Sequence, residues 1–216
     1  MLKKKRITVM QAVLTLLFVV SLVISNIITS KQVLLPFGIT MTGAVFIFPI
    51  TYILSDLFSE VYGYQWSRFS CYLAFIANLL AVVVFTLVIA TPAPAHWTNQ
   101  EAYEAVLGNT PRVLFASMLA FIVGDLVNDK VFKMFKDKHP TDHKGFGFRA
   151  IASSFLGELV DSLIFLPLAF WGLMPVEALV TMTITQVFIK TGYELVILPV
   201  THAVVVAVSR YEKNLN

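Results

Sequence analysis

The stretch Gly124-Asp125-Leu126-Val127-Asn128-Asp129-Lys130 places two carboxyls, an amide and an amine inside an apolar run that extends from Val113 to Phe135. Charged side chains are costly in the hydrocarbon core of a bilayer, and those that occur there usually serve a function. A variant, Gly157-Glu158-Leu159-Val160-Asp161-Ser162, lies in a second apolar run, and a looser copy is Ser55-Asp56-Leu57-Phe58-Ser59-Glu60. These three stretches predict one polar centre inside a bundle of membrane-spanning helices.

The composition of the 216-residue chain is typical of an integral membrane protein. Hydrophobic residues make up 57% of it and charged residues 13%, whereas a soluble domain has about 25% charged residues. Its net charge of +3 does not indicate a nucleic-acid partner, because the basic residues fall in short segments between apolar runs. The lone Cys71 cannot form an intramolecular disulfide. We expect a single transmembrane domain over residues 1–216.

Six apolar segments are long enough to cross about 30 Å of hydrocarbon, which takes roughly 20 helical residues. The expected spans are residues 8–29, 41–62, 67–90, 112–135, 148–171 and 178–208. The first follows a basic segment, as in a signal peptide, but it is longer than a signal-peptide core of about 7–15 residues and has no small-x-small cleavage site. The fold class predicted is therefore an all-α integral membrane protein with six transmembrane helices.

Lys and Arg residues indicate the orientation of these spans. With a cytoplasmic N-terminus, twelve of the sixteen Lys and Arg residues fall in inside segments and two in outside segments. Such a bias predicts that both termini lie in the cytoplasm. We expect a multi-pass protein of the inner (cytoplasmic) membrane.

The loops between the spans differ in kind. Residues 31–40 carry the turn signal Pro36-Phe37-Gly38, and a short amphipathic helix fits the stretch from Trp97 to Leu107 in the long outside loop. His139 and His143, in a basic inside loop, have a spacing that suits a metal, but no third ligand lies nearby. We expect neither a metal nor a cofactor.

Helical spacing groups the polar residues of the spans into stripes, because positions three and four apart share a face of a helix. The candidate substrate-binding residues are Asp125, Asn128 and Asp129 of the fourth span, Glu158, Asp161 and Ser162 of the fifth, Tyr52, Asp56 and Glu60 of the second, Lys190 and Glu194 of the sixth, and Asn26 of the first. Lipid cannot solvate these groups, so we expect them to face the bundle interior and meet one another.

Acids outnumber lysines within these spans, with seven acids against Lys130 and Lys190. One interpretation is a network of ion pairs, such as Lys190 with Glu194, that only fixes helix packing. Two such pairs leave five acids over, and these need a cation, a proton or a solute rich in N–H donors. A carboxylate accepts two coplanar hydrogen bonds, which suits an amidine-like or guanine-like edge.

Two further features bear on the class of protein. Gly124 and Gly157 each directly precede an acid, and small residues of this kind allow helices to approach closely. The sequence contains no G-x-S-x-G elbow, H-E-x-x-H, P-loop lysine or Cys-x-x-Cys. We therefore expect no enzyme, and any uphill transport would use an ion gradient or a separate motor.

Four stretches together resemble the queuosine precursor transporter family of bacteria, also called the "putative vitamin uptake transporter" family. They are Asp56-Leu57-Phe58-Ser59-Glu60-Val61-Tyr62-Gly63, Gly124-Asp125-Leu126-Val127-Asn128, Ser153-Ser154-Phe155-Leu156-Gly157-Glu158-Leu159-Val160-Asp161-Ser162 and Lys190-Thr191-Gly192-Tyr193-Glu194. The resemblance, over roughly residues 10–208, implies a six-helix inner-membrane importer. Its implied small-molecule substrates are 7-deazaguanine bases, in the nitrile or aminomethyl form, for queuosine synthesis in tRNA.

The implied fold is also similar to the substrate-binding subunits of energy-coupling-factor transporters, which dock to a motor through small-xxx-small motifs in the first helix. Here Ala12 is followed at i+4 by Leu16, which favours a self-sufficient carrier in the lipid bilayer. Two interpretations stay open beside it. One is a binding subunit of an ATP-driven vitamin or nucleobase uptake system, and the other is a membrane enzyme or channel whose acids bind metal. The oligomeric state also stays open, with a homodimer as one option.

Overall fold

The computed structural model describes residues 7–138 and 146–215 of the chain. Within these ranges, the side chains at positions 48, 125, 128, 129, 132, 133, 135–138, 146–151, 153, 154 and 215 lie outside the description. The protein is mostly helical, at 83%, as its apolar runs predict.

Seven α-helices and one β-hairpin make up the described part of the chain. In chain order they are α1 (Val9–Ile28), β1 (Gln32–Leu35), β2 (Ile39–Thr42), α2 (Phe48–Leu57), α3 (Tyr64–Ala90), α4 (Gln100–Leu107), α5 (Thr110–Lys138), α6 (Phe146–Phe170) and α7 (Val176–Leu215). The short helix predicted between Trp97 and Leu107 is confirmed as α4.

Four helical stretches of the described residues are long and apolar enough to cross a membrane. They are Val9–Ile28, Tyr64–Ala90, Gln100–Gly124 and Val176–Asn214, which overlap the first, third, fourth and sixth predicted spans, the fourth only over residues 112–124. Helix α6 has the length of the predicted fifth span. The total of six spans stays a prediction.

The predicted second span differs most from the structure. It consists of a 3₁₀ turn over Gly43–Phe46, helix α2 and a π-helical turn over Phe58–Tyr62. Pro49 stands in the first turn of α2, where its missing N–H leaves no helical hydrogen bond unmade. Gly63 ends the π-helical turn with a φ of 88°, a conformation that glycine adopts without steric cost. The span is thus three short helical pieces rather than one helix.

A β-hairpin stands where a plain loop is predicted between α1 and α2. Strands β1 and β2 are antiparallel, with Gln32 opposite Thr42 and Leu35 opposite Ile39. The predicted turn signal is confirmed, because Pro36–Gly38 forms the connection between the strands. The second span therefore begins after β2 ends at Thr42, not at residue 41.

The chain divides into two compact units. The first comprises Met1–Lys31, Gly43–Gly108 and Glu194–Asn216, and the second comprises Gln32–Thr42 and Asn109–Tyr193.

Polar contacts join the helices of the first unit. The Asn26 side-chain amide donates to Asn78 Oδ1 at 2.7 Å, and Thr8 Oγ1 and the Tyr62 hydroxyl both donate to Glu212 Oε1, at 2.6 and 2.9 Å. These last two bonds tie the start of α1 and the end of the π-helical turn to the last turns of α7.

An apolar core holds together the three helices of the second unit. Its buried residues are Val113, Ala116 and Ala120 of α5, Phe165, Leu166, Ala169 and Phe170 of α6, and Leu179 and Met182 of α7. Arg112 binds the end of α6, since its Nε and Nη2 donate to the carbonyls of Leu168 (2.6 Å) and Trp171 (2.8 Å). Those carbonyls would otherwise lack helical partners. Only residues 171–175 separate α6 from α7, so these helices are antiparallel neighbours.

Candidate functional site

The three core helices of the second unit change from apolar to polar at the same level. On α5 the core ends at Ala120, on α6 at Phe165 and on α7 at Met182. About one turn beyond lie Gly124, Ser162 and Gln186, and α6 and α7 continue with Asp161, Glu158 and Lys190. A polar layer thus begins where the apolar core ends.

Lys190 bridges the two acids of α6 from the neighbouring helix. Its Nζ lies 2.7 Å from Asp161 Oδ2 and 3.1 Å from Glu158 Oε2. The lysine is buried, with 7% of its surface exposed, and the side chains of Glu158 and Asp161 are 19% and 25% exposed. Polar side chains of the fifth and sixth spans thus meet one another, as expected of such groups in general, at these three residues, which we call the acid–lysine cluster.

The charge of the acid–lysine cluster does not balance. With all three side chains ionised, two carboxylates face one ammonium and the net charge is −1. Burying ionic groups costs several kcal/mol per ion, even in pairs, unless further hydrogen bonds compensate. Counted by themselves, these three side chains leave one negative charge, which a cation or a donor of hydrogen bonds would offset and which agrees with the excess of acids seen in the sequence.

Helix α5 approaches α6 closely beside the acid–lysine cluster. A Cβ atom added to Gly124 would lie 3.0 Å from the carbonyl oxygen of Gly157 and 3.2 Å from Asp161 Cβ. A side chain at position 124 would force its neighbours to move by a few tenths of an ångström, so the close approach predicted for Gly124 is confirmed. Helix α5 consequently packs directly against the segment of α6 that carries the acids.

Two neutral polar side chains complete the polar layer. Ser162 and Gln186 are fully buried, at 0% exposure. Neither the serine hydroxyl nor either end of the glutamine amide has a hydrogen-bond partner among the residues that the structure describes. Ser162 is a predicted site residue, whereas the sequence analysis missed Gln186, although it stands one helical turn before Lys190.

The other predicted residues fall into two groups. Asn26, Tyr52, Asp56, Glu60 and Glu194 belong to the first unit, in which Asp56 and Glu60 are exposed. The side chains of Asp125, Asn128 and Asp129 lie outside the described residues, as do His139 and His143. A single site formed by all the stripes stays a prediction. The sequence analysis also missed Asn78 as the partner of Asn26.

Comparison with known proteins agrees with a role in transport. The family model "Putative vitamin uptake transporter" matches residues 42–204, a range that includes the acid–lysine cluster. The chain is 28% identical, over 167 residues, to the "Probable queuosine precursor transporter" of Bacillus subtilis (strain 168); the alignment covers 77% of this chain and 72% of that protein. No solved structure matches the chain.

The family and the relative are transporters rather than enzymes, and the apolar helices are those of a membrane protein. Since the family model covers most of the chain, this protein belongs to the family described as "Putative vitamin uptake transporter".

Proposed function

We propose that this protein imports queuosine precursors, the 7-deazaguanine bases in nitrile or aminomethyl form, across the inner membrane. The name of the Bacillus subtilis relative supports the substrate class. The observation that carries the proposal is the buried acid–lysine cluster with its net negative charge.

The chemistry of a deazaguanine suits such a cluster. The base presents adjacent N–H donors along one edge, and a carboxylate accepts two coplanar hydrogen bonds. The aminomethyl form adds a cation, which would offset the surplus negative charge. We assign Glu158 and Asp161 to this edge, and we add Asp125 and Asn128, which follow Gly124 on the neighbouring helix, as further lining residues.

The proposed transporter has six spans with both termini in the cytoplasm. Cysteine accessibility tests this topology, because Cys71 is buried and can be replaced by serine to give a cysteine-free background. A single cysteine at Asn99 should react with an impermeant reagent from outside, and one at Lys213 only after the membrane is opened. The reverse pattern would exclude the proposed orientation.

A complementation assay tests the proposed function. In a host that cannot make the precursor, deletion of the protein should abolish queuosine in tRNA when precursor is supplied, and the wild-type gene should restore it. Glu158→Gln and Asp161→Asn should each reduce uptake of labelled precursor at least tenfold, because each removes a charged acceptor. Glu101→Gln, the same change at an exposed acid of α4, is the matched control and should transport normally.

Two outcomes would overturn parts of the proposal. Unchanged queuosine after deletion would refute the substrate, and normal uptake by both cluster variants would remove those residues from the site. Uptake into proteoliposomes that contain only this protein distinguishes a self-sufficient carrier from a binding subunit, since a subunit would stay inactive until its ATPase is added.

A further inference from the structure

Gln186 is a buried amide whose hydrogen-bonding groups the described protein does not satisfy. Among the side chains that the structure describes, neither Nε2 nor Oε1 finds a partner, and neither does the hydroxyl of Ser162. The Thr183 hydroxyl of the same helix solves this problem locally by donating to the carbonyl of Leu179. The hydroxyls of Thr191 and Thr201 on α7 also have no partner among the described residues, but Gln186 is the one side chain of α7 with an unsatisfied donor and an unsatisfied acceptor at separate atoms there. Buried polar groups are nearly always hydrogen-bonded, so an amide without partners at either end requires an explanation.

Helix geometry places Gln186 beside Ser162 and next to the acids. Gln186 stands four residues before Lys190, and Ser162 stands four residues after Glu158, so each pair shares a helix face. Helices α6 and α7 are antiparallel, and the contact between Lys190 and Glu158 fixes their register. Gln186 and Ser162 consequently lie level with each other, one turn nearer the apolar core than the acid–lysine cluster.

The two sides of this layer have different chemistry. The acid–lysine cluster carries net negative charge and suits N–H donors or a cation. The neutral side offers an amide, which donates through Nε2 and accepts through Oε1, together with a hydroxyl that does both. A carboxamide of this kind pairs with a planar group that carries a donor and an acceptor next to each other.

We propose that Gln186, with Ser162, binds the neutral, amide-like edge of the transported solute while the acid–lysine cluster binds its N–H-rich edge. This assignment rests on the proposed function and narrows its substrate class. The ligand is a planar heterocycle with a ring carbonyl as well as adjacent N–H donors. A small cation, which would need only the acids, is not the intended solute.

Gln186→Met tests the assignment, because methionine has a similar length but cannot form the hydrogen bonds. The probes are 7-cyano-7-deazaguanine and its 6-thio analogue, a matched base that keeps the nitrile, N1–H and 2-amino donors but replaces the ring carbonyl oxygen with sulfur, a far weaker hydrogen-bond acceptor. Wild-type protein in detergent should bind the first more tightly, as measured by calorimetry. In Gln186→Met the affinity for the first should fall by roughly tenfold or more, while that for the second changes little. Thr183→Val, one turn away with its hydroxyl already satisfied, is the control and should bind both probes as the wild type does.

A second measurement on the ligand-free protein is independent of the substrate. If the amide serves the ligand, its replacement by methionine removes an unsatisfied buried group and should leave the melting temperature equal or higher. A lower melting temperature of ligand-free Gln186→Met would show structural hydrogen bonds and overturn the inference. An equal loss of affinity for both probes, or no loss for either, would also overturn it.

If the proposed function is wrong, the binding results differ from those that would refute only the role of Gln186. If the wild type binds neither deazaguanine form, the proposed substrate is wrong, and guanine, xanthine, isocytosine and a pterin replace the probes. The assignment of Gln186 then holds only if one of these ring carbonyl compounds stabilises the wild type more than it stabilises Gln186→Met. If none does, the inference is refuted with the proposed function.

Discussion

Replacing Gly124 with alanine tests the contact on which the acid–lysine cluster is built. The added Cβ would lie 3.0 Å from the Gly157 carbonyl oxygen and 3.2 Å from Asp161 Cβ, whereas ordinary contacts begin at 3.4 Å. The nearer neighbour is backbone and cannot rotate away, so α5 and α6 must separate by a few tenths of an ångström. The separation would act directly on Asp161, which holds Lys190.

Two opposing effects set the size of the change in stability. Alanine is more favourable than glycine inside a helix by about 1 kcal/mol. Inserting a methyl group into a tight contact costs roughly 1–3 kcal/mol. The net expectation for Gly124→Ala is a loss of about 0–2 kcal/mol, and Gly124→Val should lose more, since its second and third carbons meet the same backbone.

Gly192 provides a matched control on α7. A Cβ added there meets nothing within 4 Å, so Gly192→Ala should be neutral or should gain up to about 1 kcal/mol. Thermal unfolding in detergent and uptake of labelled precursor measure both variants. We expect Gly124→Ala to melt below Gly192→Ala and to transport more slowly. Equal melting temperatures of Gly124→Val and Gly192→Val, together with normal uptake by both, would falsify the close approach of α5 and α6.

Three further predictions concern ion pairs and buried hydrogen bonds. Lys190→Met should destabilise the protein by up to about 3 kcal/mol, because it leaves two partly buried carboxylates without their ammonium. Adding Asp161→Asn should restore part of the melting temperature, and additive losses would show that the two residues do not interact. Glu212→Leu and Tyr62→Phe should each cost about 1–2 kcal/mol, and because each removes the hydrogen bond between these two side chains, their combined loss in thermal unfolding should be smaller than the sum. Asn78→Leu should lower the melting temperature by removing a buried interhelical hydrogen bond worth about 0.6–2 kcal/mol, and an unchanged value would argue against that bond.

Local periodicity accounts for the successes of the sequence analysis. Glu158 and Asp161 share a helix face because they are three residues apart, and burial in an apolar run already requires partners for them. The glycines next to the acids indicated a close approach, which Gly124 makes. These features depend on one helix at a time, and helical spacing is constant.

Contacts between helices, such as those of Lys190, cannot be predicted from the spacing of residues within one helix. Spacing within α7 suggested Glu194 as a partner of Lys190, but it gave no indication of the contacts with Glu158 and Asp161 of α6. The choice depends on the register between two helices, which the five residues between them set and which no pattern within either helix encodes. Gln186 was missed for a related reason. A neutral amide in an apolar run gives no signal in the sequence, and only the structure shows that this one is buried without hydrogen-bond partners among the described residues.

The hairpin and the divided second span were missed because their signals are short. Strands β1 and β2 have four residues each, too few for an alternating pattern to stand out from an apolar run. The 3₁₀ and π-helical turns around α2 keep an apolar composition, so hydropathy alone treats the whole stretch as one helix. Its interruptions depend on local backbone geometry, as at Gly63.

The contact between Gly124 and Gly157 also has a mechanical consequence. Two backbones that touch without side chains between them have no compressible layer, so α5 and α6 resist sliding and should move as one stiff body. Lys190 reaches its two acids through a flexible chain of four methylene groups, which can hold an ion pair over a range of helix separations. We therefore expect any relative motion within this unit to occur between α7 and the α5–α6 pair, with the ion pairs of Lys190 adjusting to it.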